Sequence, residues 1–96
     1  MKFGYFCNST NWENSKSYSQ LLNEIREIAT YCDNNKWDSI WFTEHHFSHE
    51  GMEICPNPIL LSADIAARTK KIRIGQAATI ITFWNPIRIA EDIALL

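Results

Sequence analysis

The sequence lacks several features that mark particular classes of protein. Its 9 lysines and arginines are outnumbered by 11 acidic residues, so there is no basic field to attract nucleic acid. No apolar run approaches the roughly 20 residues that cross a bilayer, and no signal-peptide core follows Met1. The 3 cysteines form no Cys-x-x-Cys pair, which is typical of reduced thiols. We therefore predict a cytoplasmic protein with neither a nucleic-acid nor a membrane partner.

What the sequence does contain indicates a folded domain. Of its 96 residues, 46% are hydrophobic and 21% are charged, a balance typical of a chain that buries a core. Residues 87–96 have helical character up to the last position, and no Gly, Asn or Pro stop signal follows them. We therefore expect residues 1–96 to be the amino-terminal part of one longer domain. Alone, this part is expected neither to fold stably nor to bind a cofactor.

Three short apolar runs predict β-strands at residues 2–7, 39–43 and 72–81. The near-continuous apolar character of the first two predicts that both are buried, the second on both faces. The third contains the small-residue run Gly75-Gln76-Ala77-Ala78-Thr79. Such a run would let a flat ligand approach the backbone, or it would allow tight packing against a helix.

A helix-start signal follows each predicted strand. Ser17 is a candidate N-cap with Gln20 as its reciprocal partner. This first helix is expected to end near residues 33–35 and to bury Leu21, Leu22, Ile25, Ile28, Ala29 and Cys32. Asn57-Pro58 and Asn85-Pro86 each combine a cap with a first-turn proline and so begin two further helices. The second helix is expected to bury Ile59, Leu60, Ala63, Ala66 and Ala67.

The alternation of strand and helix predicts parallel strands, as in an open doubly wound sheet or a (β/α)₈ barrel. A dinucleotide-binding doubly wound domain should have a glycine-rich turn after its first strand, but residues 8–11 here are Asn-Ser-Thr-Asn. The long polar loops after the first two strands resemble the active-site loops at the carboxyl face of a barrel. We therefore predict an α/β fold, a (β/α)₈ TIM barrel with only its first three βα units present.

Glu44, His45 and His46 lie where the second strand would end, the position from which catalytic side chains reach the pocket of a barrel. A histidine there can remove or return a proton near neutral pH, and Glu44 would orient its ring or raise its basicity. Structural or solvated histidines are the alternative. Aromatic residues that would wall an apolar pocket, or simply belong to the core, are Phe6, Trp12, Phe47, Phe83 and Trp84.

A metal site is the competing interpretation of the same loop. Its potential ligands are His45, His46, His49, Glu50, Glu53 and Cys55. Neighbours on an extended segment point to opposite sides, and neither a helical His-Glu-x-x-His nor a Cys-x-x-Cys motif is present. We therefore predict no metal.

Several motifs in order resemble the bacterial luciferase-like flavin-dependent monooxygenases. They are Met1–Gly4 (MKFG), Trp37–Phe47 (WDSIWFTEHHF), Pro58, Ile74–Ala78 (IGQAA) and Asn85–Asp92 (NPIRIAED). The resemblance covers essentially the whole chain and implies a barrel fold. It also implies an enzyme that uses reduced FMN and O₂ to oxidise an aldehyde or another small organic substrate. A separate flavin reductase would supply the reduced FMN, and the full-length protein would be a dimer.

The resemblance also implies roles for individual residues. His45 would be the acid/base group with His46 beside it, and Glu44 would contribute to cofactor binding. Ala77 and Ala78, joined by a cis peptide bond, would lie against the isoalloxazine ring. Non-catalytic subunits of the family have Glu-Asn-His-Phe where this chain has Glu-His-His-Phe, which favours a catalytic chain. The alternatives are a non-catalytic partner subunit and a deazaflavin-dependent oxidoreductase that transfers hydride.

One position departs from the family pattern. Lys36 stands where many relatives have glycine. We therefore expect Asn34 or Asn35 to supply the left-handed turn after the first helix.

Overall fold

The computed structural model describes residues 1–51 and 54–96. Strands and helices alternate in the order β1 (Gly4–Cys7), α1 (Tyr18–Asn34), β2 (Ser39–Phe42), α2 (Pro58–Ala66), β3 (Arg73–Gln76) and α3 (Pro86–Leu95). Single 3₁₀ turns lie at Trp12–Asn14 and Ile81–Phe83. The strands form one parallel sheet in the order β1-β2-β3, with Tyr5, Ile40 and Ile74 in register. The predicted alternation and the parallel sheet are both confirmed.

Helix α1 begins and packs as its sequence predicts. The Ser17 hydroxyl accepts a hydrogen bond from the Gln20 backbone N–H, and the Gln20 side-chain oxygen accepts one from the Ser17 N–H. Its buried face consists of Leu21, Ile25, Ala29 and Cys32. This face joins the fully buried Ile40 and Phe42 of β2 in a single core cluster. Burial of this apolar stripe is the main force that holds the helix on the sheet.

Of the five residues predicted to be buried in helix α2, Ile59 is buried and the other four are exposed. The buried residues of α2 are Pro58, Ile59, Leu61, Ser62 and Ile65, while Leu60 is 68% exposed and Ala63, Ala66 and Ala67 are also exposed. The helix is apolar on nearly every side, so its periodicity does not select one face. The neighbouring β3 and α1 make that selection, because Leu61 and Ile65 belong to the same core cluster as α1.

The third strand is shorter than its β-branched sequence predicts. It ends at Gln76, although the Ala77 N–H still donates to the Phe42 carbonyl at 2.8 Å. The Ile80 N–H donates instead to the side chain of Glu44 at 2.7 Å. Residues 77–81 therefore leave the sheet, since strand propensity alone does not supply a hydrogen-bonding partner.

Among the described residues, helices cover one face of the sheet, so the expectations that β1 is buried and that β2 is covered on both faces are wrong. Phe6 and Trp41, paired across β1 and β2, are 56% and 41% exposed. Trp41 lies against Gly75, where an added Cβ would come within 2.5 Å of the indole. At Gly75, the small residue makes room for a neighbouring tryptophan.

The turn after α1 differs from the prediction at one residue. Lys36 itself adopts the left-handed conformation, with φ of 61°, whereas Asn35 has φ of −94°. Close by, the Asp33 carboxylate accepts hydrogen bonds from the backbone N–H groups of Lys70, Lys71 and Ile72, at 3.0, 2.8 and 2.7 Å. Asp33 therefore ties the end of α1 to the start of β3.

Candidate functional site

The loops that follow β1 and β2 are hydrogen-bonded to each other at the carboxyl end of the sheet. The Asn11 N–H donates to the Gly51 carbonyl at 2.7 Å, and the Asn14 side-chain amide donates to the His49 carbonyl at 2.7 Å. Gly51 has φ of 69°, and a Cβ there would lie 2.0 Å from the Asn11 carbonyl oxygen. Only glycine fits this position, so the close approach of the two loops depends on it.

Several non-glycine residues of these loops also have positive φ. They are Ser9, Glu13, Asn14 and Phe47. Such conformations are uncommon for residues with a side chain, and they occur disproportionately at functional sites. These conformations therefore indicate that the candidate functional site lies at the carboxyl end of the sheet.

The carboxylate of Glu44 is the most heavily bonded group at this end of the sheet. Its side chain has 0% exposure. One oxygen, Oε1, lies 2.8 Å from Nε2 of His46, and the other, Oε2, accepts the Ile80 N–H at 2.7 Å. The indole N–H of Trp84 donates to both oxygens, at 3.0 and 3.2 Å. A buried carboxylate needs such donors, and here they connect the end of β2 to the chain after β3.

The two histidines that follow Glu44 lie in different surroundings. His46 pairs with Glu44, and its ring meets that of Phe83 edge-on, with centroids 5.0 Å apart. His45 donates its backbone N–H to the Cys55 carbonyl at 2.9 Å. It lines an open cavity of about 540 Å³, whose other walls are Asn14, Tyr18, Phe47, Ser48, His49, Ile54 and Pro56. The structure thus brings Glu44 and His46 together and places His45 beside a mainly apolar cavity.

Ala77 and Ala78 follow β3 directly. The peptide bond between them is cis, as the family resemblance implies, and both residues are exposed. Their methyl side chains leave the backbone open to a flat ligand, which fits the isoalloxazine ring of FMN. Ile80, two residues further on, is held by Glu44. The predicted cofactor-contact residues therefore lie in a segment that is hydrogen-bonded to Glu44, the partner of His46.

Sequence reasoning missed the polar role of Trp84, which it treated only as an aromatic wall. A half-buried tryptophan usually finds an acceptor for its indole N–H. No sequence signal identifies Glu44 as that acceptor, because the two residues are 40 positions apart. The other aromatics named as pocket walls, Phe6, Trp12, Phe47 and Phe83, are exposed by between 56% and 97%.

The metal interpretation gains no support from the part of the chain that the structure describes. Within residues 1–51 and 54–96, no three His, Cys, Asp or Glu side chains are grouped so as to hold a metal ion. Glu53, one of the potential ligands, lies outside the described residues. Burial raises the pKa of the Cys55 thiol to about 11, so this potential ligand is a thiol rather than a thiolate at neutral pH.

Among the described residues, no helix has both the length and the apolar character required to cross a bilayer.

Comparison with known protein families gives a match to the family described as luciferase-like monooxygenase, over residues 1–96. The chain is 33% identical to the oxygenase component of the flavin-dependent trigonelline monooxygenase of Acinetobacter baylyi, covering 99% of this chain and 26% of that protein. It is 34% identical to the alkanal monooxygenase beta chain of Vibrio harveyi, covering 100% and 29%. It is 30% identical to the alkanal monooxygenase alpha chain of Photorhabdus laumondii, covering 100% and 26%.

Solved structures give the same result. The oxygenating constituent of the 3,6-diketocamphane monooxygenase of Pseudomonas putida, in complex with FMN, matches with a TM-score of 0.85 and 27% identity. That match covers 97% of this chain and 25% of that one. Monooxygenase RslO1 of Streptomyces bottropensis matches with a TM-score of 0.87 and 29% identity, covering 99% and 29%. The chain therefore spans between a quarter and a third of the length of the relatives it matches.

Proposed function

Because this chain belongs to the luciferase-like monooxygenase family, we propose that the full-length protein is a flavin-dependent monooxygenase that uses reduced FMN and O₂ to oxidise an aldehyde or another small organic substrate. Its three βα units are consistent with part of the (β/α)₈ barrel of this family. Relatives are described as flavin-dependent or alkanal monooxygenases, and one structural neighbour holds FMN. These descriptions support the cofactor and the reaction type.

One observation in the chain itself carries the proposal. The buried carboxylate of Glu44 joins His46 to the segment that begins with the exposed Ala77–Ala78 peptide. In a barrel, the carboxyl ends of the strands are where substrate and cofactor meet. The link between a proton-carrying side chain, His46, and an exposed backbone surface supports flavin chemistry at this end of the sheet.

The residues then take the following roles. Ala77 and Ala78 would contact the isoalloxazine ring of reduced FMN, which would supply the electrons that activate O₂. His45 holds or moves a proton at the reacting centre, and the mainly apolar cavity beside it takes the organic substrate. His46 supports this site from the Glu44 side.

The resemblance supports several properties of the whole protein. A separate flavin reductase would supply the reduced FMN, in line with the description of one relative as an oxygenase component. We further propose a cytoplasmic dimer.

A substitution of His45 tests the proposed function. In the full-length protein, supplied with a flavin reductase and a straight-chain aldehyde, His45→Ala should lower oxygenated product by roughly 10²–10⁴-fold, the range for loss of a general acid or base. FMN binding, followed by the change in flavin fluorescence, should be retained. The matched control is Glu50→Gln in the same loop, because the Glu50 side chain is 64% exposed and is not one of the walls of the cavity. Unchanged turnover in His45→Ala would rule out the acid/base role.

A non-catalytic partner subunit is the second candidate. The chain is 34% to 37% identical to the alkanal monooxygenase beta chains and 29% to 30% identical to the alpha chains. The Glu-His-His-Phe motif favours a catalytic chain over a partner subunit. Measuring product formation by the purified full-length protein, with and without an alpha-chain relative, separates the two: a partner subunit is inactive by itself.

A further inference from the structure

We propose that Glu44 is a positioning residue that fixes which ring nitrogen of His46 carries hydrogen, and that the same carboxylate holds the wall segment, residues 77–84, in place. This inference rests on the proposed function, because it assigns a catalytic consequence to a side chain that is too deeply buried to meet the substrate. Glu44 would thus affect cofactor and substrate only through the residues that it holds.

The identity of its partners decides the hydrogen positions around Glu44. A backbone N–H and an indole N–H can only donate. The Ile80 N–H therefore requires an acceptor at Oε2, and the Trp84 indole N–H requires acceptors at both oxygens. Both carboxylate oxygens therefore act as acceptors. An ionised carboxylate can only accept, so with Glu44 in that form Nε2 of His46, 2.8 Å from Oε1, is the donor. This fixes the Nε2–H form of the neutral ring and leaves Nδ1 as the nitrogen that can accept a proton.

The same carboxylate is hydrogen-bonded to the wall segment at two positions, Ile80 and Trp84. Ile80 lies two residues after Ala78. Trp84 directly precedes Asn85, whose side chain caps α3 by accepting the N–H groups of Ile87 and Arg88. Phe83, from the same segment, packs edge-on against the His46 ring. The orientation of His46 and the position of the alanine pair therefore depend on one buried side chain.

The substitution Glu44→Gln separates positioning from simple support. An amide offers one accepting oxygen and one donating NH₂ group. Ile80 and Trp84 cannot reverse their roles, so the amide oxygen is expected to face them and the NH₂ group to face His46. His46 must then accept with Nε2 and carry its hydrogen on Nδ1. Glu44→Gln would thus keep the Ile80 bond and the 3.2 Å contact of Trp84, lose the 3.0 Å contact of Trp84, and reverse the tautomer of His46.

The experiment uses the full-length protein with ¹⁵N-labelled histidine. Imidazole nitrogen resonances, assigned to His46 by their loss in His46→Asn, should show hydrogen on Nε2 in the wild type and on Nδ1 in Glu44→Gln. In the same variant kcat should fall roughly 10- to 100-fold, the effect of losing a partner that orients a histidine. FMN binding and the KM for the aldehyde should stay within about twofold of the wild type, since the wall is retained.

Two further variants complete the test. Glu44→Ala, which removes every acceptor, should weaken FMN binding as well as kcat. Glu50→Gln is the matched control, because Glu50 faces His49 at 3.7 Å on the surface, with side-chain exposures of 64% and 89%. It should change neither kcat nor the His46 resonances.

The outcomes separate this inference from the proposed function. Hydrogen on Nδ1 of His46 in the wild type would overturn the inference, even where Glu44→Gln fails to fold. Unchanged kcat in a folded Glu44→Gln would also overturn it, while the monooxygenase activity of the wild type stands. Reversal of the tautomer in a protein without monooxygenase activity would support the positioning role and refute the proposed function.

Discussion

The indole N–H of Trp84 donates to both carboxylate oxygens of Glu44, at 3.0 and 3.2 Å, although the residues are 40 positions apart in the chain. This bond joins the end of β2 to the turn before α3. Because the carboxylate has no exposed surface, water cannot replace the indole as a donor. Loss of the indole N–H should therefore lower the free energy of unfolding and also disturb the candidate site.

Trp84→Phe keeps an aromatic ring and removes the N–H donor. We expect the free energy of unfolding of the full-length protein to fall by about 1.5–3 kcal/mol, the range for a hydrogen bond to a charged group. Urea titration followed by circular dichroism measures this change. Trp12→Phe is the control, because Trp12 is 57% exposed. If Trp84→Phe and the control have equal free energies of unfolding, the Trp84 indole N–H contributes nothing to stability.

Gly51→Ala tests the contact between the loops after β1 and β2. The added Cβ would come within 2.0 Å of the Asn11 carbonyl oxygen, at φ of 69°. Because the obstacle is backbone, the loops must separate, and we expect a loss of at least about 1–2 kcal/mol, the cost of the left-handed conformation alone. Limited proteolysis should cut the loop after β2 faster in this variant. In His49→Ala, which changes an exposed side chain of the same loop, the cutting rate should stay at the wild-type value.

Asp33 should make stability depend on pH in acid. Partial burial raises the pKa of its carboxyl, but hydrogen bonds from the N–H groups of Ile72, Lys70 and Lys71, with the Lys71 charge, lower that pKa overall. Its contribution is therefore complete above the unfolded pKa of about 3.9 and is lost as pH falls through the lower folded pKa.

Unfolding free energies of wild type and Asp33→Asn, measured from pH 6 down to about pH 2, test this dependence. The wild type should be the more stable protein at pH 6, and its advantage should shrink as Asp33 becomes protonated. Glu27→Gln, on the exposed side of the same helix, should show no such convergence. A constant difference between wild type and Asp33→Asn at every pH would contradict the assignment to this carboxyl.

The cysteines should be unreactive in the folded protein. Burial raises the pKa of Cys55 to about 11 and also raises those of Cys7 and Cys32. All three side chains are buried, so at pH 7 about one Cys55 in ten thousand is a thiolate. Iodoacetamide should leave these cysteines unmodified in native protein and alkylate all three in urea, as measured by peptide mass spectrometry. Rapid alkylation of native Cys55 would contradict the buried position.

The resemblance in the sequence predicted the family and the fold class, and the candidate site residues were expected at the end of a strand. The Glu44–His46 stretch was expected at the end of a strand, and β2 does end at Phe42. The alternation of an extended segment indicated that His45 and His46 point to opposite sides, but what surrounds each ring was not predicted. It depends on the loop after β1 and on the wall segment, which approach from distant parts of the chain.

The sequence by itself determined the features that depend on residues a few positions apart. The Ser17–Gln20 capping box, the Asn85-Pro86 helix start and the apolar stripe of α1 all depend on near neighbours. The tertiary structure decided which face α2 buries, where β3 ends and which donors surround Glu44. Each of these depends on which parts of the chain lie next to it in the fold. A helix that is apolar on all sides, a β-branched run and a carboxylate can each accept several partners equally well, and tertiary packing selects one.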